Sequence, residues 1–191
     1  MKHGRKSIII IGSSTGGIKA LKEIFNGFPL VESSIIIVQH MPHFINRQIV
    51  HILSNNCSME VQLAEHDQEI EPGTILIAPS ERHLILLDNR KIALQDGPKV
   101  CFVKPSVDVC MLSAQQSSQV RFMGIILTGM GSDGTNGIQH MKKIGAKTIA
   151  QDKASSTIWS MPSSAIETGC VDLICTPEQI SNNLINFCHG S

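Results

Sequence analysis

Four consecutive isoleucines, Ile8 to Ile11, stop abruptly at Gly12, and that run leaves few folds open. A strand with one wet face alternates apolar and polar residues, whereas this run is apolar at every position. It calls for cover on both faces, as a strand has inside a parallel sheet flanked by helices. The pattern returns at Ser34–Gln39 and at residues 122–127. Between the first two runs, Ile18, Leu21, Ile24 and Phe25 fall at helical spacing and predict a helix over 16–25.

The alternation continues along the chain. A helix is expected over 44–53, with Phe44, Ile45, Ile49, Ile52 and Leu53 on its apolar side. Short strands are expected at 61–64 and 74–78. His83–Leu87 and Lys91–Gln95 flank Asp88, Asn89 and Arg90, which reads as an antiparallel hairpin. A loop holding Gly97, Pro98 and Pro105 precedes a helix over 106–118, with Ser106 as its N-cap and Asp108 in its first turn. A helix at 135–144, a strand at 147–150, a helix at 162–167 that opens on proline, a strand at 171–175 and a helix at 177–187 complete the pattern. The expectation is one α/β domain over residues 1–191, doubly wound around a mostly parallel sheet, with one antiparallel hairpin.

Composition narrows the function. The chain has 191 residues, 42% of them hydrophobic, enough for one real core. Sixteen basic and sixteen acidic residues cancel, and no basic stripe appears, so nothing recommends nucleic acid or an anionic membrane as a partner. No apolar stretch reaches membrane-spanning length, and the isoleucine run is too short for a signal-peptide core despite Lys2, Arg5 and Lys6 near it. The six cysteines show no CxxC spacing. They read as mostly reduced core residues of a cytoplasmic protein, with a minor redox alternative for Cys170 and Cys175. No metal or cofactor is expected.

In doubly wound folds, sites form beyond the carboxyl ends of strands. Three segments place polar residues there. Gly12-Ser13-Ser14-Thr15-Gly16 fits G-x-S-x-G between strand and helix, a turn that lifts the Ser14 hydroxyl out of the sheet and frees backbone N–H groups for an oxyanion. The local alternative is a glycine-rich loop that cradles phosphate. His40 stands just past the second isoleucine-rich strand, where it could act as a base toward Ser14 or serve only as a structural histidine. His43, His51, His66, His83, His140 and His189 lack this placement and read as structural or solvated, and His3 lies in the N-terminal arm. Asp133 sits in Gly129-Met130-Gly131-Ser132-Asp133-Gly134, where it could orient an imidazole through its Nδ1 proton or cap a helix. The order Ser, His, Asp differs from that of α/β-hydrolases, whose HGGG-type motif is also missing.

Together with Gln39-His40-Met41-Pro42, Lys104-Pro105-Ser106-Val107-Asp108 and Ala150-Gln151-Asp152, these segments resemble the catalytic domain of chemotaxis protein-glutamate methylesterases. The resemblance runs in order from Ile8 to about Cys175. It implies a Rossmann-like domain that hydrolyses glutamate γ-methyl esters on the cytoplasmic helices of chemoreceptors, releasing methanol, with glutamine deamidation in some members. It implies Ser14 as nucleophile, His40 as base and Asp133 as acid, with Thr15 and Met130 around the oxyanion and Ser160-Met161-Pro162 near the site. Family members commonly carry an N-terminal receiver domain, and with a first strand at Ser7 none is expected here. Ser13 stands where alanine is frequent in the family. The alternatives are a serine esterase for a different ester and a catalytically idle receptor-binding domain.

Overall fold

The computed structural model describes residues 6–190; His3 lies outside them. A seven-stranded sheet forms the centre. Its strands are β1 (Lys6–Ser13), β2 (Ser34–Gln39), β3 (Glu60–Leu63), β4 (Thr74–Ile77), β7 (Val120–Ile126), β8 (Lys147–Gln151) and β9 (Leu173–Cys175). Their spatial order is β3-β4-β2-β1-β7-β8-β9, and every pairing in it is parallel. The predicted hairpin is β5 (His83–Leu87) and β6 (Lys91–Gln95), a separate two-stranded antiparallel sheet.

The isoleucine runs are apolar throughout because each residue meets a core on its own side. Ile8, Ile10, Ile36 and Val38 face a cluster with Leu84, Leu86, Ile92 and Leu94 of the hairpin and Val107, Ile138 and Ala165 of three helices. Ile9, Ile11, Ile35 and Ile37 face the opposite cluster with Leu21, Ile24, Ile49, Leu53, Ile180 and Leu184. The first layer therefore holds the hairpin with α3 (Val107–Leu112), α4 (Thr135–Lys143) and α5 (Ser160–Glu167). The second holds α1 (Gly17–Ile24), α2 (Asn46–Ser54) and α6 (Pro177–His189).

This division creates the switch point of the sheet. From β1 the chain passes through α1 on one face and winds outward to β2. From β7 it passes through α4 on the other face and winds outward to β8. Right-handed crossovers in opposite directions put their helices on opposite faces. The loops after the neighbouring strands β1 and β7 thus diverge and leave a crevice at their carboxyl ends.

Three helices differ from the sequence expectation, one of them only at its start: α5 opens at Ser160, so Pro162 is its third residue and not its first. The helix expected to reach residue 118 ends at Leu112, because the following backbone turns to the hairpin. Ser113 Oγ accepts the Leu86 N–H (2.8 Å), and Asn89 clasps both the N–H and the carbonyl of Gln115 (3.0 and 2.7 Å). The helix expected at 44–53 is a 3-10 turn, His43–Ile45, followed by α2. Phe44 therefore leaves the apolar face and is 74% exposed. The six cysteines are all free. Cys110 and Cys175 are buried, Cys57, Cys170 and Cys188 are half-buried, and Cys101 is exposed, so fewer are core residues than expected. Among the described residues no helix is long and apolar enough to cross a membrane.

Candidate active site

The turn after β1 carries Ser14. It is built on Gly16, whose φ of +83° suits glycine, and a Cβ there would lie 2.4 Å from Thr157 Oγ1. The Ser14 N–H donates to the Thr128 carbonyl (3.0 Å), and Thr128 Oγ1 donates to the Thr15 carbonyl (2.9 Å). The Ser14 turn is thereby tied to the end of β7. Gln151, buried at the end of β8, receives the Thr128 N–H on its side-chain oxygen (2.9 Å) and steadies that junction.

His40 follows β2. Its N–H donates to the Ser13 carbonyl (2.9 Å), which extends the β1–β2 ladder by one rung and sets the imidazole beside the Ser14 turn. Gln39, 2% exposed, locks the two together. Its amide nitrogen donates to the carbonyls of both Ser14 and His40 (2.9 Å each), and its oxygen accepts the Ser13 hydroxyl (2.6 Å). The Ser13 hydroxyl therefore does more than fit a space where alanine would also fit.

The imidazole reaches Asp133 through Nε2, which lies 2.8 Å from Asp133 Oδ2. Sequence reasoning expected Nδ1 in this contact. The ring is reversed relative to that expectation: the Asp133 carboxylate, held by the N–H groups of Val107 and Asp108, meets Nε2. A carboxylate can only accept, so Nε2 carries the proton and Nδ1 carries the lone pair. Nδ1 is buried and has no partner among the described residues. No hydrogen bond joins the Ser14 hydroxyl to it among the described residues. Such contacts are often loose before substrate binds.

Asp133, 2% exposed, is held from four directions. Besides His40 Nε2 it accepts the Ser106 hydroxyl (2.7 Å) and the N–H groups of Val107 (2.7 Å) and Asp108 (3.0 Å). Burial alone would push its carboxyl up. The hydrogen bonds from His40, from the backbone of Asp108 and Val107 and from Ser106 outweigh it, and the group is held below the usual carboxylate range. The partial positive charge at the α3 N-terminus acts in the same sense. Asp108 is the opposite case. Its Oδ1 accepts from Gly134 (2.9 Å) and Gly137 (2.7 Å), yet burial, helped by the neighbouring Asp133 charge, raises its carboxyl above the ordinary value. Cys101 Sγ comes within 4.8 Å of carboxylate oxygens of both aspartates. Those carboxylates are already engaged by N–H and O–H donors, which suits anchoring better than metal binding.

Thr15 and Met130 lie on the two loops that meet at Ser14. A Cβ on Gly129 would lie 2.7 Å from Ser14 Cβ, so the strand of backbone leading to Met130 runs directly against the serine. Gly129 is fixed there by its N–H to the Ile158 carbonyl (2.9 Å) and by the Met161 N–H to its own carbonyl (3.0 Å). The Thr15 and Met130 N–H groups have no backbone acceptor among the described residues. The side chain of Met130 is 74% exposed at the rim. Met161 is 1% exposed and packs in the core. A cleft of about 610 Å³ opens beside His40, lined by Met41, Pro42, Glu81, Lys99, Phe102 and Lys104 among others.

The family model described as CheB methylesterase matches residues 9–184. The chain belongs to the CheB methylesterase family. A protein-glutamate methylesterase/protein-glutamine glutaminase of Rhodospirillum rubrum is 38% identical over 97% of this chain and 52% of its own length. A namesake from Geobacter metallireducens is 40% identical over 95% of this chain and 51% of its own. The chain spans about half the length of the curated relatives it matches. The crystal structure of the Thermotoga maritima CheB methylesterase catalytic domain superposes with a TM-score of 0.88 at 34% identity, covering 96% of this chain and 98% of that one. The family fold, a doubly wound parallel sheet with an added hairpin, is thus the fold of this chain.

Sequence reasoning missed the supporting residues. Gln39, Ser106 and Asp108 stand inside segments whose resemblance was plain, and Ser106 was read as an N-cap, which it is: its hydroxyl accepts the Val109 N–H (3.3 Å). That the same hydroxyl also donates to a carboxylate 27 positions away has no local signature.

Proposed function

We propose that the chain is a single catalytic domain that hydrolyses glutamate γ-methyl esters on chemoreceptor helices in the cytoplasm, releasing methanol, and that it also deamidates receptor glutamines. The observation that carries this reading is the His40 imidazole, fixed by an ionised Asp133 on one nitrogen and offering a buried, unpartnered lone pair on the other beside Ser14. The names borne by the curated relatives, protein-glutamate methylesterase/protein-glutamine glutaminase, supply the substrate class.

The steps follow from the geometry. Ser14 Oγ attacks the ester carbonyl as His40 Nδ1 takes its proton, and Asp133 stabilises the imidazolium that results. In this reading the N–H groups of Thr15 and Met130, which have no backbone acceptor among the described residues, receive the oxyanion. Collapse of the tetrahedral intermediate expels methoxide, which leaves as methanol with the proton from His40. Water then repeats the sequence on the acyl-enzyme and liberates the glutamate carboxylate and free Ser14. With a glutamine substrate the leaving group is ammonia. No cofactor enters these steps.

Methanol release from methylated receptor membranes tests reaction and substrate together, with Ser14→Ala as the control. Absence of methanol release by a chain that still reacts with a fluorophosphonate at Ser14 would leave a serine esterase for another substrate.

A further inference from the structure

His83 was read from the sequence as one of the bystander histidines. It opens β5, is 5% exposed, and lies directly behind the residues that hold Asp133. Its Nε2 is 2.9 Å from the Pro98 carbonyl oxygen, and its Nδ1 receives the N–H of Ser106 at 3.2 Å. Each partner fixes the proton inventory of the ring. A carbonyl only accepts, so Nε2 bears the hydrogen. An amide N–H only donates, so Nδ1 bears the lone pair. Both ring nitrogens are therefore satisfied in one neutral tautomer.

Ser106 is the link forward. It is 0% exposed, and both of its polar ends are committed: its N–H to His83 and its hydroxyl to Asp133 Oδ1 at 2.7 Å. The next two residues supply the N–H groups of Val107 and Asp108 to the same carboxylate. The position of the α3 N-terminus thus decides where Asp133 sits, and His83 is the side chain that anchors that N-terminus to the hairpin. We propose that His83 is a positioning residue of the active site, acting on His40 through Ser106 and Asp133. This rests on the Ser14–His40–Asp133 reading above.

A residue that aligns a triad without touching substrate affects turnover and leaves substrate affinity alone. It should also be replaceable by any side chain that keeps the decisive bond. Asparagine places an oxygen close to where Nδ1 stands, so His83→Asn can still accept from Ser106. Glutamine reaches the position of Nε2, so His83→Gln can keep the Pro98 contact while abandoning Ser106.

The test uses the full chain and the rate at which a fluorophosphonate labels Ser14, which needs no knowledge of the natural ester. It is accompanied by kcat and KM on methylated receptor. His83→Gln is expected to label about tenfold to 100-fold more slowly, as small misplacements of a reacting group do, with kcat reduced and KM unchanged. His83→Asn is expected to stay within about threefold of the parent on the same scale. Parent-like labelling of a folded His83→Gln overturns the proposal while leaving the triad intact. If His83→Gln does not fold, His83→Asn decides: labelling within about threefold of the parent supports the proposal, and labelling slowed about tenfold or more overturns it. Failure of the parent chain to label at Ser14 overturns both this inference and the triad beneath it. Labelling without methanol release removes only the substrate reading.

Discussion

The carboxylate of Asp133 sits on the first turn of α3, and the carboxylate of Asp108, within that turn, sits on the first turn of α4, which Asp133 itself precedes. Each acid caps the helix next to the other. The exchange holds the loop of residues 128–134 against α3 and aims Asp133 at His40, so one pair of carboxylates both ties two helices together and orients the His40 imidazole.

The two acids respond to pH in opposite directions. Asp133 is held below the ordinary aspartate value of about 3.9, so its ionised form favours the folded state. Its contribution is present above that value and is lost as pH falls through the lower folded value. Asp108 is raised, so its ionised form costs stability at neutral pH and that cost disappears on acidification. Urea unfolding across a pH series should therefore show a shallower acid loss in Asp133→Asn and a steeper one in Asp108→Asn. At neutral pH Asp133→Asn should itself lose about 1–3 kcal/mol, because its NH2 group would face donors whichever way it turns. Its kcat should fall between about 100- and 10,000-fold. Equal acid slopes in all three proteins would contradict this assignment.

Ser14→Ala and His40→Ala should each nearly abolish turnover in a chain that still folds, Ser14→Ala with a melting transition close to that of the parent and His40→Ala with a lower one, because it takes a donor from the buried Asp133 carboxylate. The two act in one proton transfer, so the double variant should be little slower than either single one. Steady-state rates on methylated receptor decide it. Multiplicative losses would mean that serine and histidine work independently.

The strands and the meeting of Ser14, His40 and Asp133 at their ends were legible for a common reason. Burial on both faces forces an unbroken apolar run, and the end of such a run marks where a polar residue meets the crevice. Ser14 and His40 each follow a run of this kind, and Asp133 follows residues 122–127 by a short glycine-rich loop. The reversal of the His40 ring, the clamp by Gln39 and the anchor at His83 were not legible. Each depends on which elements come together, as when the hairpin and α3 meet on one face of the sheet. Phe44 illustrates the same limit. Its spacing fits a helix that begins at 44, but Asn46 is drawn inward to accept the Ser80 N–H and hydroxyl (3.3 and 2.8 Å), and α2 starts there.

The oxyanion donors should be backbone groups. Removing a side-chain donor from such a site costs roughly 2.7–4 kcal/mol in other enzymes. Thr15→Ala keeps the N–H of residue 15, so its loss should be smaller, under about tenfold in kcat. A crystal structure of the phosphonate adduct on Ser14 should place the phosphoryl oxygen within hydrogen-bond distance of the Thr15 and Met130 nitrogens. An oxygen turned away from both would refute this placement.

The substrate should be a folded surface and not a free small ester. A methyl ester offers too few atoms to bind tightly by itself. Contacts remote from the reacting carbon can be used to position it, and substrates that lack them lose kcat as well as affinity. The rim around the site is suited to such contacts: Phe44 and Met130 are each 74% exposed and Phe102 is 95% exposed. Trp159, half-buried with Lys153 over its ring at 5.3 Å, and the buried Met161 offer a partner less surface. Methyl esters on receptor fragments should therefore be hydrolysed with a kcat/KM at least about 100-fold above that of free glutamate γ-methyl ester, a difference of about 2.7 kcal/mol. Phe44→Ala should slow the receptor reaction by several-fold or more and leave the small-ester reaction nearly unchanged, since Phe44 lies outside the hydrogen-bonded machinery. Comparable specificity constants for the two substrates, with Phe44→Ala affecting both alike, would remove the receptor surface from the reaction and leave a general esterase.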